Sequence, residues 1–192
     1  MAKIKQKQMQ RRSEIIETVI PLLEKTSFED LSMADICQAA GISVGSFYHY
    51  FHAKSDILVG LLALIDEYME TEVFPLLKEQ NEIENLKLFA HHWAVYVDEH
   101  GLERSKLISS VIPSDEDLSG HKRVSLRRLE QIIMGGQEKK QIRGDIPAEE
   151  LTDLFFLAMR GVTVDWSRTD GRYSVVSKMD RYIGLFVQAL CV

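Results

Sequence analysis

Residues 32–54, SMADICQAAGISVGSFYHYFHAK, hold two short helical patterns separated by a glycine, and few folds can use such a stretch. Ser32 is placed to cap the first helix, where Met33, Ile36 and Cys37 recur at i, i+3 and i+4 along one face. Gly41 permits the left-handed turn that ends this helix. Ser43 starts the second, which carries Val44, Phe47 and Phe51 and a polar face of Ser46 and His49, with Tyr48 near its edge. A second helix with small and hydroxyl side chains at its N-terminus suits a DNA major groove. The first helix would lie across the groove and aim its positive end at a phosphate.

Charge supports this reading only when its distribution is considered. The formal net charge of −6 argues against a nucleic-acid partner. Yet residues 1–12 carry Lys3, Lys5, Lys7, Arg11 and Arg12 and no acid, and residues 1–56 balance 7 basic against 7 acidic side chains. Residues 57–192 hold 16 against 22, the whole of the excess. A basic leading arm on an acidic body would orient the molecule on DNA and keep the rest off it. Four prolines, eleven glycines and no alternating β-branched run predict an all-α chain. Cys37 falls on the buried face of the motif, so both thiols are expected reduced, as in a cytosol. The basic N-terminus leads into glutamines, not an apolar stretch, and the longest apolar run, Ile57 to Ile65, is far short of the ~20 residues of a membrane span. A cytoplasmic protein with no membrane partner is expected.

Ile36, Ala39-Ala40-Gly41-Ile42-Ser43, Gly45, Phe47-Tyr48, Tyr50-Phe51 and Lys54 together resemble the signature of the TetR family of bacterial transcriptional regulators. The resemblance covers about residues 10–60 and beyond them is only a pattern of helices. Ser27 stands where the family commonly has glycine, and Cys37 where it has alanine. The resemblance implies an N-terminal three-helix helix-turn-helix domain and a helical C-terminal domain for effector binding and dimerisation. It also implies DNA-binding roles for Ser32, Ser43, Val44, Gly45, Ser46, Tyr48, His49 and Lys54. Among these, Tyr48 and Lys54 are expected on phosphates, while Ser43, Val44, Ser46 and His49 face bases or nearby backbone. Phe47 and Phe51 are expected in the core. The recognition helix lacks Arg, Lys, Asn and Gln, so specificity should lean on hydroxyl and van der Waals contacts, His49 and DNA shape.

The chain divides into a DNA-binding domain over 1–56, with 1–9 a disordered basic arm, and an effector and dimerisation domain over 57–192. The arm either reaches the minor groove or is a solubilising tail. A first helix is expected over about Gln10–Lys25, bent near Pro21, and a long one over about Ala53–Lys78 that serves both domains and ends or bends at Pro75. Further helices are predicted over Glu82–Glu99, Glu103–Ile112, His121–Gln141, Pro147–Ser167 and Ser174–Leu190, with a polar loop at 114–120. Gly135-Gly136 implies a close contact or a bend.

Phe89, His92, Trp93, Tyr96, Met134, Phe155 and Met159 serve either as core or as walls of a small-molecule pocket, which the resemblance implies lies between the body helices. Wide apolar stripes on the last two helices need more cover than one chain gives. They predict a twofold homodimer with Ala158, Val162, Met179, Ile183 and Phe186 at the interface. His91 and His92 are adjacent and point about 100° apart on a helix, and no Cys-x-x-Cys or His-x-x-x-His spacing exists, so no metal is expected. No nucleophile elbow, redox pair or phosphate loop is present; no catalytic residue, cofactor or enzymatic activity is expected. The expected function is a homodimeric repressor released from a palindromic double-stranded DNA operator by an unknown small molecule. The alternative is a regulator of the same fold whose effector is a protein.

Overall fold

The computed structural model describes residues 2–23, 25–110 and 123–191. The expected 114–120 loop therefore lies outside the described residues. Among these residues the fold is all-α, with one isolated bridge between Ile142 and Cys191. Two compact units divide the chain, Met1–Leu64 and Ile65–Val192.

In the first unit, α1 (Ala2–Leu23) extends through the expected arm. Residues 2–9 are alanine, lysine, glutamine and methionine, all good helix formers, with one isoleucine and no glycine or proline, so a helix rather than a disordered tail follows. The helix runs two residues past Pro21. Its Ile15, Ile16 and Val19 are buried, as are Ile36 and Cys37 of α2 (Met33–Ala39) and Phe47 of α3 (Val44–Tyr50). Phe51 stacks on Phe47 at 4.9 Å and is also buried. A Cβ on Gly60 would come within 2.3 Å of Ile16 Cδ1, so α1 and α4 (Asp56–Tyr68) approach too closely here for a side chain.

Lys54, expected on a phosphate, is bonded within the protein. Its ammonium donates to the carbonyls of Phe28 (2.6 Å), Glu29 (3.0 Å) and Leu31 (3.0 Å) and lies 4.8 Å from the Phe28 ring centre. An ammonium has three N–H donors, and three converging carbonyls use them all. Lys54 thereby fastens the α1–α2 loop to the segment that opens α4.

Beyond Tyr68 the helix does not continue as α. Met69–Val73 forms a π turn, in which the Phe74 N–H reaches the Met69 carbonyl, and Phe74–Leu76 a 3₁₀ turn. Two residues explain the change. The Thr71 hydroxyl donates to the Glu67 carbonyl at 2.9 Å, competing with the backbone there. Pro75 has no N–H for the carbonyl four residues earlier, and its ring would clash with it in an α-helix. Ile57, Leu61, Ile65, Met69, Val73 and Leu77 are all buried. Four residues of α-helix advance about 400°, so a stripe at strict four-residue spacing drifts by roughly 40° at each step. The wider π turn takes back part of this drift.

In the second unit, α5 (Glu82–His100) packs on α9 (Val175–Phe186) and α7 (Val124–Glu138), while α8 (Ala148–Arg168) packs on α6 (Leu102–Ser110), α7 and α9. Leu86, Phe89, Leu129, Ile133, Phe155, Met159 and Met179 are its fully enclosed centre. The Gly135-Gly136 pair marks a close contact: a Cβ on Gly136 would lie 2.4 Å from Ile142 Cδ1.

Replacing Lys54 by Met should destabilise the first unit by about 2 kcal/mol, the scale of hydrogen bonds to a charged group. The loss should appear as faster amide exchange across residues 28–39, while the salt slope of DNA binding stays that of the parent.

Candidate functional site

The α2–turn–α3 segment is fixed by local hydrogen bonds that leave its outer face free. Ser32 and Asp35 form a reciprocal cap: Asp35 N–H donates to Ser32 Oγ (3.1 Å) and Ser32 N–H to Asp35 Oδ2 (3.0 Å). The Ser32 hydroxyl and backbone hold the Asp35 carboxyl below its usual pKa. Gly41, at φ 63°, closes α2; Ile42 N–H reaches the Cys37 carbonyl (3.0 Å) and Gly41 N–H that of Gln38 (3.2 Å). Ser43 Oγ accepts from Ser46 N–H at 3.1 Å and pairs with Ser46 Oγ at 2.9 Å.

With α3 placed this way, Ser43, Val44, Gly45, Ser46, Tyr48 and His49 are all exposed, while Phe47 points inward. Val44 and Tyr48 are large hydrophobics turned to solvent, at 46% and 53% exposure. Tyr48 rests edge-on against Phe47, with ring centres 5.7 Å apart. A Cβ on Gly45 would meet only Ser43 Oγ, at 3.9 Å. Nothing within the protein requires glycine there. Ser32 and Ser43 act as helix caps in addition to any DNA contact, and Lys54 is turned to the carbonyls described above.

Of the residues expected to line a pocket in the body, Phe89, Trp93, Tyr96, Phe155 and Met159 are buried, and His92 is half-buried. Burial, with the neighbouring His91, pushes the His92 pKa down. Met134 departs from the expectation: it is 47% exposed, because α7 turns Leu126, Leu129, Ile132 and Ile133 inward. Sequence reasoning missed two buried arginines among these aromatics. Arg104 donates to the Tyr96 hydroxyl at 3.1 Å, and the Tyr96 ring stacks on His100 at 3.8 Å. Arg123 lies 5.5 Å from the Trp93 ring centre and 5.8 Å from that of Phe156. Charged residues on helices read as solvated, so no sequence signal marked them.

The α8–α9 face also differs in part from expectation. Met179 and Ile183 are buried within the body, at 0% and 1% exposure, where α9 packs on α5. The outward face instead presents Leu154, Leu157, Tyr182 and Leu185. Ala158, Val162 and Phe186 line a shallow groove of about 360 Å³ beside Leu154, Leu157 and Tyr182. The hydrophobic stripe of α9 is wide enough to serve both sides, and its phase about the helix could not be read without the neighbouring α5.

Among the described residues no group of His, Cys, Asp and Glu could hold a metal, and no helix is long and apolar enough to cross a membrane.

Residues 15–61 match the model of the bacterial regulatory proteins, tetR family. Over most of its length the chain is similar to the nucleoid occlusion factor SlmA of Vibrio campbellii, 23% identical over 186 residues covering 93% of this chain and 95% of that protein. Its fold matches the transcriptional regulator FadR from Bacillus subtilis in complex with stearoyl-CoA, with a TM-score of 0.76, 18% identity and coverage of 93% and 98%. It also matches AibR in complex with isovaleryl coenzyme A and operator DNA, with a TM-score of 0.63, 19% identity and coverage of 91% and 97%.

The open space around Gly45 gives a test with two readouts of opposite sign. Gly45→Ala should raise the stability of the free protein by about 0.5–1 kcal/mol, since glycine is costly inside a helix. It should weaken DNA binding by holding α3 away from the groove. Denaturant titration and a duplex-binding isotherm check the two together.

Proposed function

We propose that the chain is a DNA-binding transcriptional regulator of the TetR family, whose model it matches over residues 15–61, and that it works as a homodimer released from a palindromic operator by an acyl-coenzyme A thioester. The observation that carries the DNA-binding part is the exposed α3 face, whose cap engages only Ser43 and Ser46 and leaves Val44, Tyr48 and His49 turned to solvent. Ser43, Val44, Gly45, Ser46 and His49 meet base edges and nearby backbone, and Tyr48 a phosphate. Lys54 supports this face from behind, holding the loop before α2.

The dimer reading is supported by the apolar outer face of α8 and α9. Leu157 and Leu185, at 57% and 63% exposure, are the strongest candidates for its centre. Two copies would cover each other's α8 and α9 as a four-helix bundle and present two α3 helices roughly 34–36 Å apart, one DNA turn.

The ligand reading is supported by the aromatic and aliphatic interior around Phe89, Trp93, Phe155 and Met159, with Arg104 and Arg123 set among it. Apolar side chains beside guanidinium groups suit a ligand with an acyl chain and an anionic head once the interior opens to admit it. The complexes of FadR with stearoyl-CoA and of AibR with isovaleryl coenzyme A support the same ligand class. A ligand that weakens DNA binding must itself be weakened by DNA by the same factor. The second reading is an effector that is a protein.

A panel of acyl-CoAs of increasing chain length separates the two. At a concentration one hundred times its Kd, the matching thioester should raise Tm by roughly 5–10 °C and release a bound duplex. No shift and no release across the panel would favour the protein effector. For assembly, Leu157→Glu should leave the monomer folded, because the side chain is exposed, yet convert dimer to monomer in light scattering at micromolar concentration. Ile183→Glu should instead unfold the body, since it places a charge at a buried position.

A further inference from the structure

The groove between α8 and α9 is apolar at one end and charged at the other. The two helices pack on each other and are joined by residues 169–174, so they run antiparallel. Leu154 and Phe186 line the groove at one end, Asp165 and Lys178 at the other. These two charges do not pair with each other. The Tyr173 hydroxyl donates to Asp165 Oδ2 at 2.6 Å, and the Lys178 ammonium lies 5.3 Å from the centre of the same ring. Trp166 Nε1 donates to the Tyr173 carbonyl at 2.9 Å and anchors the loop that carries it. Burial, with the bond to Asp165, pushes the Tyr173 hydroxyl up to about 12, so it remains a donor at neutral pH. Among the described residues Lys178 meets no carboxylate, and Asp165 Oδ1 accepts no hydrogen bond.

Both side chains are exposed in the single chain, where water solvates them. Covering Leu157 and Leu185 with a second copy changes that, because a charge enclosed without an opposite one is penalised. A twofold axis can bring the two grooves together in two senses. With the axis along the helices, like ends meet. Each α8 then lies beside the partner's α9, apolar end on apolar end, and each Asp165 faces a Lys178 across the axis. With the axis across the helices, each charged end is laid on the leucines and Phe186 of the other copy. The first sense matches apolar surface with apolar surface and forms two equivalent ion pairs. The second encloses the same charges unpaired.

We propose that Asp165 and Lys178 are the residues by which this chain selects a second copy of itself, in the like-end sense, through reciprocal ion pairs between Asp165 of one copy and Lys178 of the partner subunit. Tyr173 holds the Asp165 carboxylate in place and leaves its second oxygen for the partner. A helical face of similar apolar outline that lacks the two charges is rejected, because it leaves both of them enclosed and unpaired. This rests on the reading that α8 and α9 form the dimer face, and adds to it which residues choose the partner.

The test uses the full chain without ligand or DNA, with sedimentation velocity reading the dimer dissociation constant. Lys178→Glu and Asp165→Lys should each weaken the dimer about a hundredfold, since each sets like charges against each other at two equivalent places. Mixed in equal amounts, the two variants should form a heterodimer close to the parent in affinity, seen at the mixed mass by native mass spectrometry. In the mixture both cross-pairs are again of opposite sign. Asp165→Lys also removes the acceptor of the Tyr173 hydroxyl. If circular dichroism shows that protein unfolded, Asp165→Asn and Lys178→Gln take its place. Each should weaken the dimer about tenfold, and the double variant no further than either alone. Charge variants that dimerise like the parent, reversed variants that fail to combine, or a double variant whose losses add would overturn the proposal. Where the parent is a dimer and Leu157→Glu a monomer, those results remove the ion pairs and leave the dimer reading standing. A monomeric parent removes both.

Discussion

A helix that runs from one compact unit into another must keep one side buried along its whole length, and an α-helix does not repeat every four residues. From Ile57 to Leu77 the large buried side chains nevertheless fall at strict four-residue intervals. The conflict is resolved in the backbone, not in the side chains. Thr71 and Pro75 deny the regular ladder its partners where the phase error has built up, and the wide turn takes back part of it. Ile57 and Leu61 belong to the first unit, and Ile65 and the residues after it to the second, so the correction falls on the body side of the division.

The fold was legible because its strongest signals are local. Ser32, Gly41 and Ser43 act through hydrogen bonds spanning five residues or fewer, and the sequence displays all the partners. The exposed α3 face was readable for the same reason. Lys54 was not, because its partners are the carbonyls of residues 28–31, which no side-chain pattern announces. Met134 and Ile183 failed in another way. Each lies on an apolar helix, but which side of that helix faces a neighbour depends on packing against α5 or α8. The extension of α1 over residues 2–9 shows the limit of charge as a guide: a run of lysines was read as disorder, while its helix propensity favoured order.

The body places its charges where periodicity gives no warning. Arg104 and Arg123 are enclosed by Tyr96, Trp93 and Phe156, and each has a hydrogen-bonding partner on another element or another turn. Long side chains that bury their stems and keep their heads satisfied are easily taken for surface residues in a one-dimensional reading. Their effect is to give an otherwise oily interior directional, charge-specific contacts, which apolar packing cannot supply.

The two serine caps have a consequence for how such a regulator can diversify. The backbone of α3 is held by Ser43, by Phe47 and Phe51 in the core, and by the turn at Gly41. Val44 and His49 take no part in this. Substitutions at those two positions therefore carry almost no folding penalty. On the proposed role of those two side chains at base edges, a lineage can drift to a new operator without first acquiring compensating mutations, and its recognition sequence can change on a much shorter evolutionary timescale than its architecture.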